Sequence, residues 1–562
     1  MLEEGDIVTH LHGCTGSRGI CTVIKCIGLR ARVRFPDGST MWAEVKELSM
    51  PTPTAQAAAH AAAEPSTATT NTIAVKASSI RVETPVVLAA PSVAKTSKAA
   101  EPIPVNTNEA EQGATLVLPS EDADEWAYVL EVLRGPMSRL SDLDTMLTKF
   151  CALDRESRRC SFFSEIPGSD EAGVFDFDAF FTFGVPLLLE VALEMPTLFA
   201  GVRVPIHKTY SSWSAVGDDA RSLGLLSFSL SRRQCACLLA HSFLGSLKRP
   251  HNVQPNDFRF TAVDLFVGTA RSPNSATTFL NYFTTLGTHG FPVGQLTFER
   301  LGYRSSAHGH PPWRVEHSLS PLCAVTIVDG PLEDSLAELH ADFANAFPGG
   351  GVMTGDFAQE EILFLIKPEL LVAMALENRM ADTEAVRVFG AVQYSLVSGF
   401  GSSFAFAGAY DGRRAGAPPT VCAIDAVRGG GPAMTEPALR RDLNKARIAF
   451  DGARTIATGH WGCGAFGNNH DLMFVKQWLA ASEAGATAMH YHDFSRNQSH
   501  NIVPLTRKLK HLTVGQLWGF LRDNTFDLEP ANVAAFSVRV REIATGKRAV
   551  PAAAAAVDVS DG

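Results

Sequence analysis

The chain has 562 residues, too many for one compact core, so several domains are expected, with room for a large buried unit. Hydrophobic residues make up 46% and charged residues 19%, an ordinary globular balance. A formal net charge of -10 gives no overall field that attracts nucleic acid or another polyanion, so binding one needs a local positive site.

The N-terminus opens Met1-Leu-Glu-Glu, without the basic stretch of a secretion signal, and the most apolar run, near Phe181 to Val202, is interrupted by Glu190 and Glu194. Neither secretion nor membrane insertion is expected. The ten cysteines are scattered and form no C-x-x-C pair, and Cys235 and Cys237 fall within a helical pattern, so reduced thiols of a nuclear or cytosolic protein are expected.

Residues 1–50 alternate as short strands, with a turn at Pro36-Asp-Gly-Ser. The stretch resembles Tudor-like and other SH3-like barrels. Phe35 and Trp42 are its aromatics, fitting either the core of a tiny β-barrel or part of an aromatic cage for a chromatin, peptide or nucleic-acid partner. Residues 51–119 are rich in Ala, Thr, Pro and Ser and lack aromatics, which predicts a disordered linker. A mostly helical region follows over 120–295, in which Ser231 and Gln234 form a capping box before an apolar run. From 296 to 530, apolar strands such as Leu322–Val328 and Val421–Asp425 alternate with helical patterns, predicting an α/β layered core. Thr513 and Gln516 fit a second capping box, and 531–562 reads as a partly disordered extension.

The informative stretch holds Gly349, Gly350 and Gly351, then seven residues, then Gln359, Glu360 and Glu361 at the start of an apolar helical run. A glycine cluster alone is as a rule a turn, and acidic residues in a helix's first turn as a rule complement its dipole. Together they place a candidate phosphate cradle and an acid beside one bound group, which suits glycoside chemistry on a nucleotide.

With Leu296-Thr-Phe-Glu-Arg300, Asp342-Phe-Ala-Asn345, Leu443-Asn-Lys-Ala446 and Thr458-Gly-His-Trp-Gly-Cys-Gly-Ala-Phe-Gly467, this signature resembles the poly(ADP-ribose) glycohydrolase family over about 184–525. The resemblance implies a macrodomain-like three-layer α/β/α core with a helical accessory region, and hydrolysis of ribose–ribose bonds in poly(ADP-ribose). It makes Glu361 the acid/base, Glu360 the residue that grips the ribose hydroxyls, and Gln359 an aid in placing their loop. A carboxyl group buried beside phosphate charge holds its proton near neutrality, which suits the acid's role. By the same resemblance Asn345 holds the ribose and Asp342 supports the site or simply caps the loop. Gly462, Gly464, Ala465, Phe466 and Gly467 form a second phosphate loop, Phe400 and Phe494 face the adenine, and Glu333 contacts its amino group.

Three positions depart from the family pattern. Phe400 stands where a tyrosine is usual, His460 replaces an asparagine, and Asn468 and Asn469 replace Gly-Asp. His490, His492 and His500 are unevenly spaced and lack a carboxylate that would complete a metal site, so metal-independent hydrolysis without a cofactor is expected. The family's substrate implies nuclear residence, and cytoplasmic residence as well, although Arg507-Lys-Leu-Lys510 is too short for a targeting cluster. Two other readings stand beside this one: a catalytically silent ADP-ribose reader, which the retained glutamates disfavour, and recruitment through the N-terminal barrel.

Overall fold

The computed structural model describes residues 7–11, 18–27, 30–34, 40–44, 48–49, 114–151, 175–207, 224–247, 260, 273–303, 313–410, 417–493, 501–525 and 533–548. The chain divides into two compact units, Met1–Ala99 and Ala100–Gly562. In the first, β1 (Ile7–Leu11), β2 (Arg18–Ile27), β3 (Arg30–Arg34), β4 (Thr40–Glu44) and β5 (Leu48–Ser49) form one antiparallel sheet in the order β4-β3-β2-β1-β5. Phe35 and the expected turn at 36–39 lie outside the described residues.

The second unit is built on one eight-stranded sheet. Its strands are β6 (Gly224–Ser231), β7 (Gln295–Gly302), β8 (Ala324–Val328), β9 (Leu339–Asp342), β10 (Glu384–Phe389), β13 (Thr420–Ala423), β14 (Thr455–Gly459) and β15 (Ala488–His492), in the order β6-β7-β10-β13-β9-β14-β15-β8. A separate hairpin pairs β11 (Ser395–Ser398) with β12 (Ala405–Ala409). From β13 through β9, β14 and β15 to β8 every neighbour is parallel, whereas β6, β7, β10 and β13 pair antiparallel.

Alternate residues of a strand face opposite sides, and here they feed two cores. Val421 and Ala423 join one cluster, and Cys422 and Ile424 the other. The first core packs α1 (Ala123–Leu133), α2 (Leu140–Cys151), α3 (Val185–Leu193), α4 (Arg232–Leu244), α5 (Pro273–His289) and α6 (Gln359–Ile366). The second packs α7 (Glu436–Phe450), α8 (His470–Glu483), α9 (Ile502–Leu509), α10 (Val514–Thr525) and α11 (Val533–Ala544). Helices on both faces of one sheet make the expected three-layer α/β/α architecture.

Both capping boxes form. Ser231 Oγ accepts from the Gln234 amide at 3.2 Å while Gln234 Oε1 accepts from the Ser231 amide at 2.9 Å, and Thr513 and Gln516 exchange the equivalent bonds. Three segments are more ordered than their composition suggests. Leu116 and Leu118, at the end of the expected linker, are buried, and the Leu116 amide donates to Val204 O at 2.9 Å. β6, in the expected helical region, joins the main sheet through β7. In the C-terminal extension, α11 buries Phe536, Val540 and Ile543 against the second core.

A candidate carboxylate and diphosphate site at the strand ends

Ligands of open α/β sheets bind beyond the carboxyl ends of the parallel strands. Every sequence-identified site residue after β8, β9 and β14 lies there. Glu333 follows β8, Asp342 ends β9 with Asn345 and Gly349–Gly351 beyond it, and Gly464–Phe466 follow β14. Phe494 follows β15 but lies outside the described residues.

Two amides of the first glycine loop, expected as a phosphate cradle, are engaged within the protein. They bind its own carboxylates. Glu360 Oε1 accepts from the Gly349 amide and Oε2 from the Asn345 amide, both at 2.7 Å. Glu361 Oε1 accepts from the Gly351 amide at 2.9 Å and Oε2 from the Ala358 amide at 3.0 Å, while the Gly350 amide turns back to Phe347 O. Glycine is required for closeness: a Cβ on Gly350 would stand 2.4 Å from an oxygen of each glutamate, and one on Gly351 would stand 2.1 Å from Asp356 Oδ2.

Gln359 ties this helix start to the sheet. Its Oε1 accepts from the Phe343 amide at 2.8 Å, its Nε2 donates to Ala341 O at 3.3 Å, and it also donates to Glu333. Four carboxylates thus crowd one strand end. Asp342 is fully buried, and among the described residues neither of its oxygens has a hydrogen-bond partner. Burial first, then the charges of Glu361 and Glu333, hold its carboxyl well above the usual range. Burial and then the charges of Asp342 and Glu361 do the same to Glu360, against its two amide donors. Desolvation also raises Glu333. Asn345 Oδ1 accepts from the Phe347 amide at 3.1 Å, which fixes the side chain and leaves its amide nitrogen to donate.

The second glycine loop keeps its amides available. Gly462 and Gly467 take positive φ, and the turn closes through Gly467 N to Gly464 O at 2.9 Å and Asn468 N to Gly462 O at 3.0 Å. Among the described residues the amides of Gly464, Ala465 and Phe466 donate to no backbone carbonyl, and Gly464 and Ala465 are exposed. Such a turn can receive an anion. Trp461, fully buried, anchors it by donating from Nε1 to Ile424 O at 2.9 Å.

The departures from the family pattern acquire structural roles. Asn468 Nδ2 donates to Val427 O at 2.7 Å and to Gly462 O at 3.1 Å, joining two loops. Asn469 caps α8 by accepting from the Leu472 amide at 3.0 Å, a helix-start signal visible in the sequence. His460 Nε2 meets Asp493 Oδ1 at 3.0 Å. Phe400 is 50% exposed, close in sequence to the stacked pair Phe357 and Phe404, whose ring centroids are 4.4 Å apart. A partner loop that sequence reasoning passed over is Gly429–Gly431. The Gly429 amide donates to Phe466 O at 2.7 Å, and a Cβ there would stand 2.3 Å from Gly467 O.

His490 Nδ1 meets Ser335 Oγ at 3.2 Å and His492 Nδ1 meets Gly330 O at 3.2 Å, while His500 lies outside the described residues. Among the described residues no group of histidine, cysteine and acidic side chains is placed to hold a metal ion.

Residues 176–300 match the family model of the poly(ADP-ribose) glycohydrolase helical domain, and residues 312–501 match that of the glycohydrolase's macro domain fold. The chain belongs to the poly(ADP-ribose) glycohydrolase family. Among its relatives, a probable poly(ADP-ribose) glycohydrolase 2 of Arabidopsis thaliana is 29% identical over 414 residues, covering 60% of this chain and 77% of the relative. Poly(ADP-ribose) glycohydrolase 1 of the same plant is 25% identical over 456 residues, covering 65% of this chain and 82% of the relative. The crystal structure of the Deinococcus radiodurans glycohydrolase in complex with ADP-ribose is 17% identical and covers 34% of this chain and 84% of its own, with a TM-score of 0.23. In this chain the first glycine loop donates two amides to Glu360 and Glu361, while among the described residues the amides of Gly464, Ala465 and Phe466 donate to no backbone carbonyl.

Proposed function

We propose that this protein hydrolyses ribose–ribose O-glycosidic bonds in poly(ADP-ribose) and releases ADP-ribose, with Glu361 as general acid/base. The observation that supports this reading best is the pair Glu360 and Glu361, each fixed through both oxygens by backbone amides, beside a second loop whose amides are open to a diphosphate.

The C1–O bond to the neighbouring ribose breaks as Glu361 gives its proton to the leaving oxygen. The ribose left behind is oxocarbenium-like and is stabilised by the substrate's own diphosphate, held at Gly464, Ala465 and Phe466. Glu361, now a carboxylate, takes a proton from water as that water's oxygen bonds to C1, which restores the acid. Glu360 accepts hydrogen bonds from the ribose hydroxyls, and Asn345 donates to the same sugar from its amide. Asp342 and Gln359 set the position of these groups. Phe400, Phe494 and Glu333 receive the adenine, without the hydroxyl that a tyrosine at position 400 would supply.

The decisive comparison is ADP-ribose release from purified poly(ADP-ribose) by the wild-type chain and by Glu361→Gln, at matched ligand binding and without added metal. Release lost only in the variant is the expected result. If neither releases ADP-ribose while binding persists, the protein is a reader of ADP-ribose.

The sheet of residues 7–49 is the basis for a second, separate role, a Tudor-like barrel that brings the enzyme to a chromatin or peptide partner. Comparing the partners retained by the full chain and by a chain lacking residues 1–99 tests this, and identical sets would overturn it. Nuclear residence, with a cytoplasmic pool, follows from the proposed substrate and is checked by imaging the tagged full chain.

A further inference from the structure

A cavity of about 600 Å3 opens at the ends of β9 and β13, and two of the arginines that line it have no role given above. Asn345, Phe347, Arg379, Arg428, Arg441 and Phe466 are among its lining. Its floor is electrically settled. The buried carboxylate of Asp425 is paired with both Lys445 and Arg441, and Arg441 also reaches Asp382 at 3.0 Å. Burial draws the Lys445 amine down to about 8, with Asp425 opposing that shift.

Its rim is different. Arg379 and Arg428 are exposed, and neither forms an ion pair among the described residues. The Arg428 guanidinium stands 5.1 Å from the Phe466 ring centre, which orients it without neutralising it. Planar guanidinium groups suit phosphate oxygens, and these two supply the local positive site that a chain of net charge -10 needs to hold a polyanion.

The cavity shares its walls with the proposed catalytic site. The Asn345 amide holds Glu360, and the same residue lines the cavity. Phe466 closes the open-amide loop and lines the cavity as well. A molecule filling it is therefore within reach of whatever is attached to the ribose at Glu360 and Glu361.

We propose that this cavity is a subsite for the ADP-ribose unit adjoining the one released, with Arg379 and Arg428 binding that unit's diphosphate. The inference rests on the poly(ADP-ribose) reading and adds to it: the enzyme holds two consecutive units, so polymer binds better than its terminal unit alone.

The test uses the full chain, as wild type and as the double variant Arg379→Ala/Arg428→Ala, with poly(ADP-ribose) and monomeric ADP-ribose as probes. Losing two charge-assisted contacts is expected to raise KM for the polymer about tenfold or more. The variant should keep kcat and the monomer Kd, and its KM should respond less to salt. An unchanged polymer KM, or an equal loss of monomer binding, overturns the subsite and leaves the glycohydrolase reading standing. Absence of release by the wild type overturns that reading first, and the subsite with it.

Discussion

The Cβ that Gly350 lacks would stand 2.4 Å from Glu361 Oε1 and equally close to Glu360 Oε2, so this one glycine allows two acidic side chains to share a single backbone turn. Its φ of +49° is left-handed, which Ala tolerates at modest cost, so the contact distance dominates. Gly350→Ala forces both carboxylates away from their amide donors. ADP-ribose release should fall by about 100-fold or more, because small misplacements of a reacting group have effects of that order. Stability should drop by only about 2 kcal/mol. Near-wild-type release by a folded Gly350→Ala protein would show that the clamp does not position the acid.

Asp342 makes a pH-dependent contribution whose sign follows from its burial. Its carboxyl is held above the ordinary range in the folded protein, as is that of Glu360, whereas unfolded carboxyls titrate near ~4. The folded state therefore binds the extra proton more tightly. Stability from these groups is complete below the unfolded value and is lost as pH rises through the folded one. Asp342→Asn has no such proton to lose. Its unfolding free energy relative to wild type should improve steadily from pH 5 to pH 8, by about 1–3 kcal/mol in total. A difference that stays constant with pH would mean that Asp342 is not protonated in the fold.

These two residues also mark how far the sequence could be read. Gln359, Glu360 and Glu361 stand at a helix start, both capping boxes close, and the β8 and β13 patterns sit at their expected places, because all depend on neighbours within a few residues. The function of Gly349–Gly351 did not follow from local pattern. Three glycines allow close approach by any anion, and only the fold shows that Gly349 and Gly351 donate their amides to Glu360 and Glu361. The unpartnered burial of Asp342 and the meeting of Gly429 with Phe466 are long-range facts. The second triple-glycine run, Gly429–Gly431, was visible as a signal but has no adjacent pair of acidic residues after it like Glu360 and Glu361. Arg379 and Arg428 belong to no motif, and only the fold brings the segment before β10 and the loop after β13 to one cavity.

Phe400 offers a test of adenine recognition that leaves the core untouched. With half its surface exposed, its ring can stack on a base, yet it contributes little to folding. Phe400→Tyr should leave the melting temperature unchanged and tighten ADP-ribose binding about fivefold, the effect of one recovered hydrogen bond. Phe400→Ala should weaken binding by a similar or larger factor. Unchanged affinity in both variants, measured by calorimetry, would place the adenine elsewhere.

Asn468 links the open-amide loop to the loop after β13, and the consequence of removing it can be divided between folding and binding. Its buried Nδ2 donates to Val427 O and Gly462 O. Asn468→Ala leaves both carbonyls without that donor, a change that should destabilise the protein by about 1–3 kcal/mol. The loop that carries Gly464, Ala465 and Phe466 then loses one attachment and keeps two, the Gly429 amide on Phe466 O and Trp461 Nε1 on Ile424 O. A looser loop must be ordered when the diphosphate arrives, so binding weakens in addition to stability. Kd for ADP-ribose should rise while the chemical step measured under saturating polymer stays close to wild type. If Asn468→Ala lowers melting temperature but leaves Kd unchanged, the tether serves the fold alone, and the Gly429 and Trp461 contacts suffice to hold the loop for the diphosphate.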